Sequence, residues 1–166
     1  NPVDSVGYIH NVLLEKIIAE SSPGDGMEGV LNTSDYIWES HYGESNINHS
    51  IIRDYIEVLE NEEVDYFLDT LSADKNKKDR FEKLINIVSN YDGTNFTLIY
   101  NNIVSFEDSL MNEYSPDEIK PILTGSSIAR YSFAYSHIHL GDAKNSQVQN
   151  MKVPPYVWVV GGADVI

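Results

Sequence analysis

The chain has 166 residues, no cysteine, and 26 Asp and Glu against 11 Lys and Arg, a formal charge of -15. Nucleic-acid binding requires clustered Lys and Arg that displace counterions, so a net anion of this size argues against it, and equally against docking on an anionic membrane surface. The absent cysteines exclude thiol catalysis, Cys-type zinc sites and disulfides. This length suits one domain that buries about two-thirds of its unfolded surface, enough to fold without a metal or a disulfide.

The first element is organised by Asn1-Pro2-Val3-Asp4-Ser5-Val6-Gly7-Tyr8-Ile9-His10-Asn11-Val12-Leu13. Pro2 sets a φ angle just ahead of a helix, and Asp4 or Ser5 can cap it. Val6, Ile9, Leu13 and Ile17 recur at i, i+3, i+7 and i+11, which predicts a helix over residues 5–20 with those four on its core face. His10 falls beside that face. Ser21-Ser22-Pro23-Gly24-Asp25-Gly26 reads as a break. Residues 27–31 suit a single helical turn. Asn32-Thr33-Ser34 reads as the cap of a second short piece that ends at His41-Tyr42-Gly43.

A helix from Ser45 carries Ile47, Ile51, Tyr55 and Val58 on one face. Another, capped by Asn61, carries Val64, Phe67, Leu68 and Leu71. Ser72 is then read as the cap of a helix whose face is Phe81, Leu84, Ile85, Val88 and Tyr91, stopped at Asp92-Gly93. Phe96, Ile99, Ile103, Phe106 and Leu110 predict a helix over residues 95–112, with a strand at 96–100 as the competing reading. Ser115-Pro116-Asp117-Glu118 is the strongest local signal in the chain. Ser115 caps, Pro116 takes the first helical position, and Glu118 completes a capping box. Gly125-Ser126-Ser127 is expected to break or bend that helix, and residues 128–140 continue it. A polar linker over 143–150 leads to Val153-Pro154-Pro155 and an apolar end.

These elements predict an all-α, single-domain antiparallel bundle of about six to seven helices, with residues 1–153 as the helical domain and 154–166 as an apolar C-terminal segment. The start at Asn1 and the apolar finish lead to the expectation that further residues lie beyond both ends. Charge is uneven along the chain. Asp54, Glu57, Glu60, Glu62, Glu63, Asp65 and Asp69 follow one another with no basic residue among them. Lys75, Lys77, Lys78, Arg80 and Lys83 then crowd one helix start, where positive charge opposes the helix dipole. They are expected to be exposed and offset by Asp74 and Asp79.

Signals for chemistry are few. His137 and His139 lie two apart, which on a helix turns them about 200° from each other, so they share a metal only on an extended segment, with Asp142 as a third ligand. His10 could act as a base, but no Ser, Cys or acid is tied to it by spacing. Its bland alternative is a partly buried histidine bonded to a carbonyl or a Tyr hydroxyl. Asp74-x-Asn76 and Asp92-Gly93-x-Asn95 lack the glycine and closing glutamate of a calcium loop. No cofactor is implied. Eleven tyrosines are many, and gathered on one face they would suggest glycan or peptide contact.

The opening run Asn1-Pro2, Asp4, Gly7, His10-Asn11 and Leu13 resembles the start of an uncharacterised Bacteroidetes-type family of small exported or envelope proteins, lipoprotein-like in habit. Residues 126–135 resemble that family's penultimate helix, and Gly161-Gly162-Ala163-Asp164-Val165-Ile166 resembles an end that continues into Gly/Ala-rich sequence. The resemblance covers some 35 residues. It implies an extracytoplasmic address, with a leader ahead of the opening run, and it carries over no catalytic residue. From the residues themselves, Asp4, Gly7, His10 and Asn11 are expected as structural or binding anchors. His10 and Asn11 would join the first helix to another part of the fold, such as the helix over 126–140.

Three functional readings follow. The first is a non-enzymatic exported bacterial domain that binds a protein or a small ligand. The second is a secreted membrane-active or antagonistic factor that would meet a membrane only through a Gly/Ala-rich C-terminal end. The third is an enzyme built on His10 or on a metal at His137 and His139.

Overall fold

The computed structural model describes residues 1–20, 26–43, 68–69, 74–91 and 95–140. Among these the chain is all-α, with no strand and five helices: α1 (Asp4–Glu20), α2 (Gly26–Tyr42), α3 (Lys75–Ser89), α4 (Phe96–Glu113) and α5 (Pro116–Leu140). The helices expected over residues 45–71 and the apolar C-terminal segment lie outside the described residues, apart from Leu68, which is buried, and Asp69, which is exposed.

Local signals explain most boundaries. The Asp74 side chain accepts from the Lys77 N–H at 3.0 Å, so α3 is capped by Asp74 and not by Ser72. An aspartate there satisfies an orphan donor and suits the positive helix end. Asn95 caps α4 by accepting from the Leu98 N–H at 3.0 Å. Residues 96–100 are therefore helical, and the strand alternative fails: Ile99 begins the helical stripe Ile99, Ile103, Phe106 and Leu110, while Leu98 beside it stands 56% exposed. At the start of α5, Glu118 Oε2 accepts from the Ser115 N–H at 3.0 Å and from the Ser115 hydroxyl at 2.6 Å. That is one arm of a capping box. In the other, the hydroxyl turns to the carboxylate and leaves the Glu118 N–H to the Ser115 carbonyl at 3.1 Å.

Two predicted breaks are absent. α2 runs unbroken through Asn32-Thr33-Ser34. Those residues each cost a helix a few tenths of a kcal/mol, which the tertiary burial of Ile37, 2% exposed, outweighs. The helix ends where expected, at Gly43, whose φ of 99° only glycine adopts without strain. α5 likewise runs 25 residues without interruption across Gly125-Ser126-Ser127, about 38 Å of helix. All three residues are buried, and small side chains there allow close neighbours on several sides. Pro121 removes one backbone hydrogen bond near the helix start and is tolerated within the run.

α5 is the hub, packing on α1, α3 and α4, while α1 also packs on α2. The main apolar cluster is built from α3 (Phe81, Leu84, Ile85, Val88), α4 (Ile99, Ile103, Phe106, Leu110) and α5 (Ile119, Ile122, Leu123, Ala129), with Leu68. Val3, just ahead of α1, also packs against that cluster. Ile9, expected on the core face of α1, is 41% exposed. The face of α1 that meets α5 carries Asp4, Gly7 and Asn11 instead, at i, i+3 and i+7.

Arg80 departs from the expected exposed cluster. It is buried, with its guanidinium 3.8 Å over the Tyr114 ring, because its position on α3 adjoins Phe81 and Leu84 and its charge finds a ring face there. The lysines around it stay at the surface: Lys77 lies 3.8 Å from Asp74 and Lys78 lies 3.6 Å from Asp69.

Candidate functional site

The opening run docks on α5 through polar contacts. Asn1 uses its whole side chain. Its Nδ2 donates to Glu107 Oε1 and to the Leu123 carbonyl, each at 2.9 Å, and its Oδ1 accepts from the Val3 N–H at 3.0 Å. Asp4 pairs directly with Arg130 Nη2. Asn11 Nδ2 donates to the Tyr131 carbonyl at 2.7 Å. Gly7 stands between them. A Cβ at Gly7 would lie 2.6 Å from the Ser127 carbonyl oxygen, from Ser127 Oγ and from Tyr131 Cδ2. The glycine is there to let two helix backbones approach, and its conformational freedom is incidental.

Behind this seam sits a charged group that sequence reasoning missed. The Glu107 carboxylate, 3% exposed, lies 3.4 Å from Arg130 Nη2. Ser126 Oγ lies 2.8 Å from Glu107 Oε1 and 3.0 Å from the Leu123 carbonyl. Arg130 thus bridges Asp4 on α1 and Glu107 on α4, and its Nη1 also donates to the Tyr100 hydroxyl at 3.4 Å. Burial pushes the guanidinium pKa down, but the Tyr100 hydroxyl, Glu107 and Asp4 more than reverse this and hold it above its ordinary value. A signal for this group was present. Glu107 follows Ile103 by four and precedes Leu110 by three, which puts a carboxylate on the apolar stripe of α4, where it needs a buried cation.

His10 is partly buried beside the seam, with Nδ1 3.3 Å from Asn11 Oδ1. Burial lowers its pKa, and the contact with Asn11 opposes that in part. Asp4, Gly7, His10 and Asn11 are therefore brought together, as the helical spacing of the run dictates. Asp4, Gly7 and Asn11 face α5, and His10 lies beside Asn11. His137 is exposed on helical backbone and stacks on Phe96, with ring centroids 4.5 Å apart and planes within 6°. No group of three metal-ligating side chains occurs among the described residues. His137 and His139 both lie on the helical backbone of α5, and Asp142 lies outside the described residues.

A concave surface does exist elsewhere, where the end of α3 meets the start of α4. It encloses about 200 Å³ and is lined chiefly by Ile87, Asn90, Tyr91, Asn95, Leu98 and Asn102. The two cap positions bring it about: Asn90 is the C-cap of α3 and Asn95 the N-cap of α4. Among the described residues none of its lining side chains is an acid, a base or a cation. A second hollow, between Lys77, Arg80 and Glu118, encloses about 20 Å³ and holds little more than one water. Comparison with protein-family models, curated proteins and solved structures finds no match to the chain.

Proposed function

We propose that the chain is a non-enzymatic exported bacterial domain that acts by binding, and that its ligand surface is the cleft between α3 and α4. The observation that supports this is the division of polar groups in the molecule. Charged and hydrogen-bonding residues of the opening run are taken up by the scaffold. The open cleft presents carboxamides, aliphatic side chains and one phenol. Carboxamides donate and accept hydrogen bonds but do not transfer protons near neutral pH, so such a lining recognises a ligand without acting as acid or base on it. The finer architecture belongs to the same reading: a single-domain antiparallel bundle of six to seven helices over residues 1–153. The extracytoplasmic address rests on the family resemblance of the two ends. Among the described residues no helix is long and apolar enough to cross a membrane.

The test is site-specific photocross-linking in cells that express the native gene. A cross-linker replacing Leu98 or Asn102, both exposed at the cleft, is expected to give a discrete adduct, and one replacing Glu113, exposed at the far end of α4, none. Absence of adducts at both cleft positions, or equal adducts at all three, would overturn the binding reading. Recovery of the native protein in the cytoplasmic fraction would overturn the exported address.

A further inference from the structure

We infer that Arg80 is the centre of a halide-binding site in the hollow between α3 and the first turns of α5. This site is separate from the proposed ligand cleft and does not depend on it. Among the described residues two arginines are buried, and they are treated differently. Arg130 faces two carboxylates, Asp4 and Glu107. Arg80, 9% exposed, faces none. Its Nε–H is buried and has no hydrogen-bond partner. The Tyr114 ring lies 3.8 Å from the guanidinium carbon, but a ring face attracts a cation without taking up its N–H groups one by one. A guanidinium keeps its proton inside a protein and carries five N–H donors. A buried one therefore calls for an anion, and an orphaned N–H on it marks where that anion sits.

The surroundings say which anion. Arg80 lines the hollow together with Lys77, Phe81, Glu118, Pro121 and Ile122. Glu118 is committed elsewhere: its Oε2 accepts from the Ser115 N–H and from the Ser115 hydroxyl. Those two bonds, and then the nearness of Arg80 and Lys77, hold its carboxyl below the ordinary carboxylate value. The hollow is thus electropositive although the chain carries a net charge of -15. Lys77, exposed and only 3.8 Å-paired with Asp74, brings a second cation to the rim on a flexible stem. Phe81, Pro121 and Ile122 give apolar walls. A space of about 20 Å³ admits little more than one water-sized body. That fits a single-atom anion, which needs charge and a few donors but no directed geometry. A sulfate or a phosphate is larger, and each of its oxygens needs donors of its own. A water in the same place would take the Nε–H but leave the guanidinium charge without an anion. A bound halide would tie α3 to the start of α5, so the stability of the fold would follow halide concentration.

The experiment follows the Arg80 side-chain Nε–H signal of the uniformly ¹⁵N-labelled full chain while sodium chloride replaces sodium gluconate. Ionic strength is held constant, so screening of the net charge does not change, and gluconate is too bulky for the hollow. Expected is a saturable shift of the Arg80 signal with chloride, reproduced with bromide. In urea unfolding the same exchange is expected to raise the folding equilibrium constant about tenfold, equivalent to about 1.4 kcal/mol, once chloride reaches about nine times its Kd. Lys77→Gln, at an exposed position, keeps the fold and is expected to raise the chloride Kd about threefold or more by removing one of two cations. Arg80→Met is expected to abolish the chloride dependence of unfolding. Should that variant fail to fold, the Arg80 signal of the native chain and the Lys77→Gln titration decide the question without it. No saturable shift with either halide, equal unfolding midpoints in chloride and gluconate, or an unchanged Kd in Lys77→Gln overturns the site. Chloride dependence that persists in a folded Arg80→Met overturns it as well.

Discussion

α1 and α5 approach each other closely at Gly7, and replacing it with alanine measures how tightly α1 is seated. In an isolated helix the substitution would stabilise by about 1 kcal/mol, since glycine has the worst propensity short of proline. Here the new methyl group would stand 2.6 Å from three atoms. One of them, the Ser127 carbonyl oxygen, belongs to the backbone of the buried middle of α5 and cannot yield without moving that helix. Overpacking of this kind costs about 1–3 kcal/mol, and three simultaneous contacts, one with backbone, place the cost at the upper end. The net expectation is a loss of about 2 kcal/mol. Urea unfolding followed by circular dichroism reads it as a lower midpoint with an unchanged slope. Gly7→Ser should lose at least as much. A neutral or stabilising Gly7→Ala would refute the close seating of α1 on α5, because helix propensity alone would then account for the result.

Removing Arg130 with Arg130→Met strands the Glu107 carboxylate and should cost about 3–5 kcal/mol in urea unfolding; the double variant Arg130→Met, Glu107→Leu should recover part of that, and a fully additive double loss would refute the pairing. Ile9→Ala should change stability by no more than about 0.5 kcal/mol, whereas Leu123→Ala, at a fully buried site, should cost about 2–5 kcal/mol, and equal losses would contradict the outward position of Ile9. The His10 pKa is lowered on folding, so the unfolded chain binds the proton more readily; the His10 contribution is complete above about pH 6.5, the unfolded value, and is lost as pH falls toward the lower folded value. In urea unfolding between neutral and mildly acidic pH, His10→Gln should flatten that part of the stability profile, and an unchanged slope would show that the ring is solvated.

The periodic stripes of α3 and α4 were legible because their apolar residues face one large core and nothing else competes. Phe81, Leu84, Ile85 and Val88 are buried, as are Ile99, Ile103, Phe106 and Leu110. α1 misled for the opposite reason. Its apolar residues suggest a core face through Val6, Ile9, Leu13 and Ile17, yet its contact with the hub of the fold is made by Asp4, Gly7 and Asn11, which no hydrophobic pattern marks. The same blindness hid Glu107 and Arg130, which pair with each other and with Asp4, 126 residues before Arg130 in sequence. The asparagines of the cleft read locally as helix ends, which Asn90 and Asn95 are. Only the juxtaposition of two helix ends turns them into a surface.

The polar seam also has an energetic logic. Glu107 and Arg130 balance each other within α4 and α5. Asp4 then adds a second anion to one cation, and Asn1 supplies a donor to the Glu107 carboxylate. Asn1 and Asn11 bond the carbonyls of Leu123 and Tyr131, two helical turns apart on α5, so together they fix both the tilt and the register of α1. An apolar interface tolerates sliding by one helical turn. Two carboxamides on two specified carbonyls, with a glycine between them, do not. The opening run is thus best understood as the device that sets one helix in a single position on another, and the loss of either asparagine should loosen α1 while leaving the α3–α4 cleft and its chemistry intact.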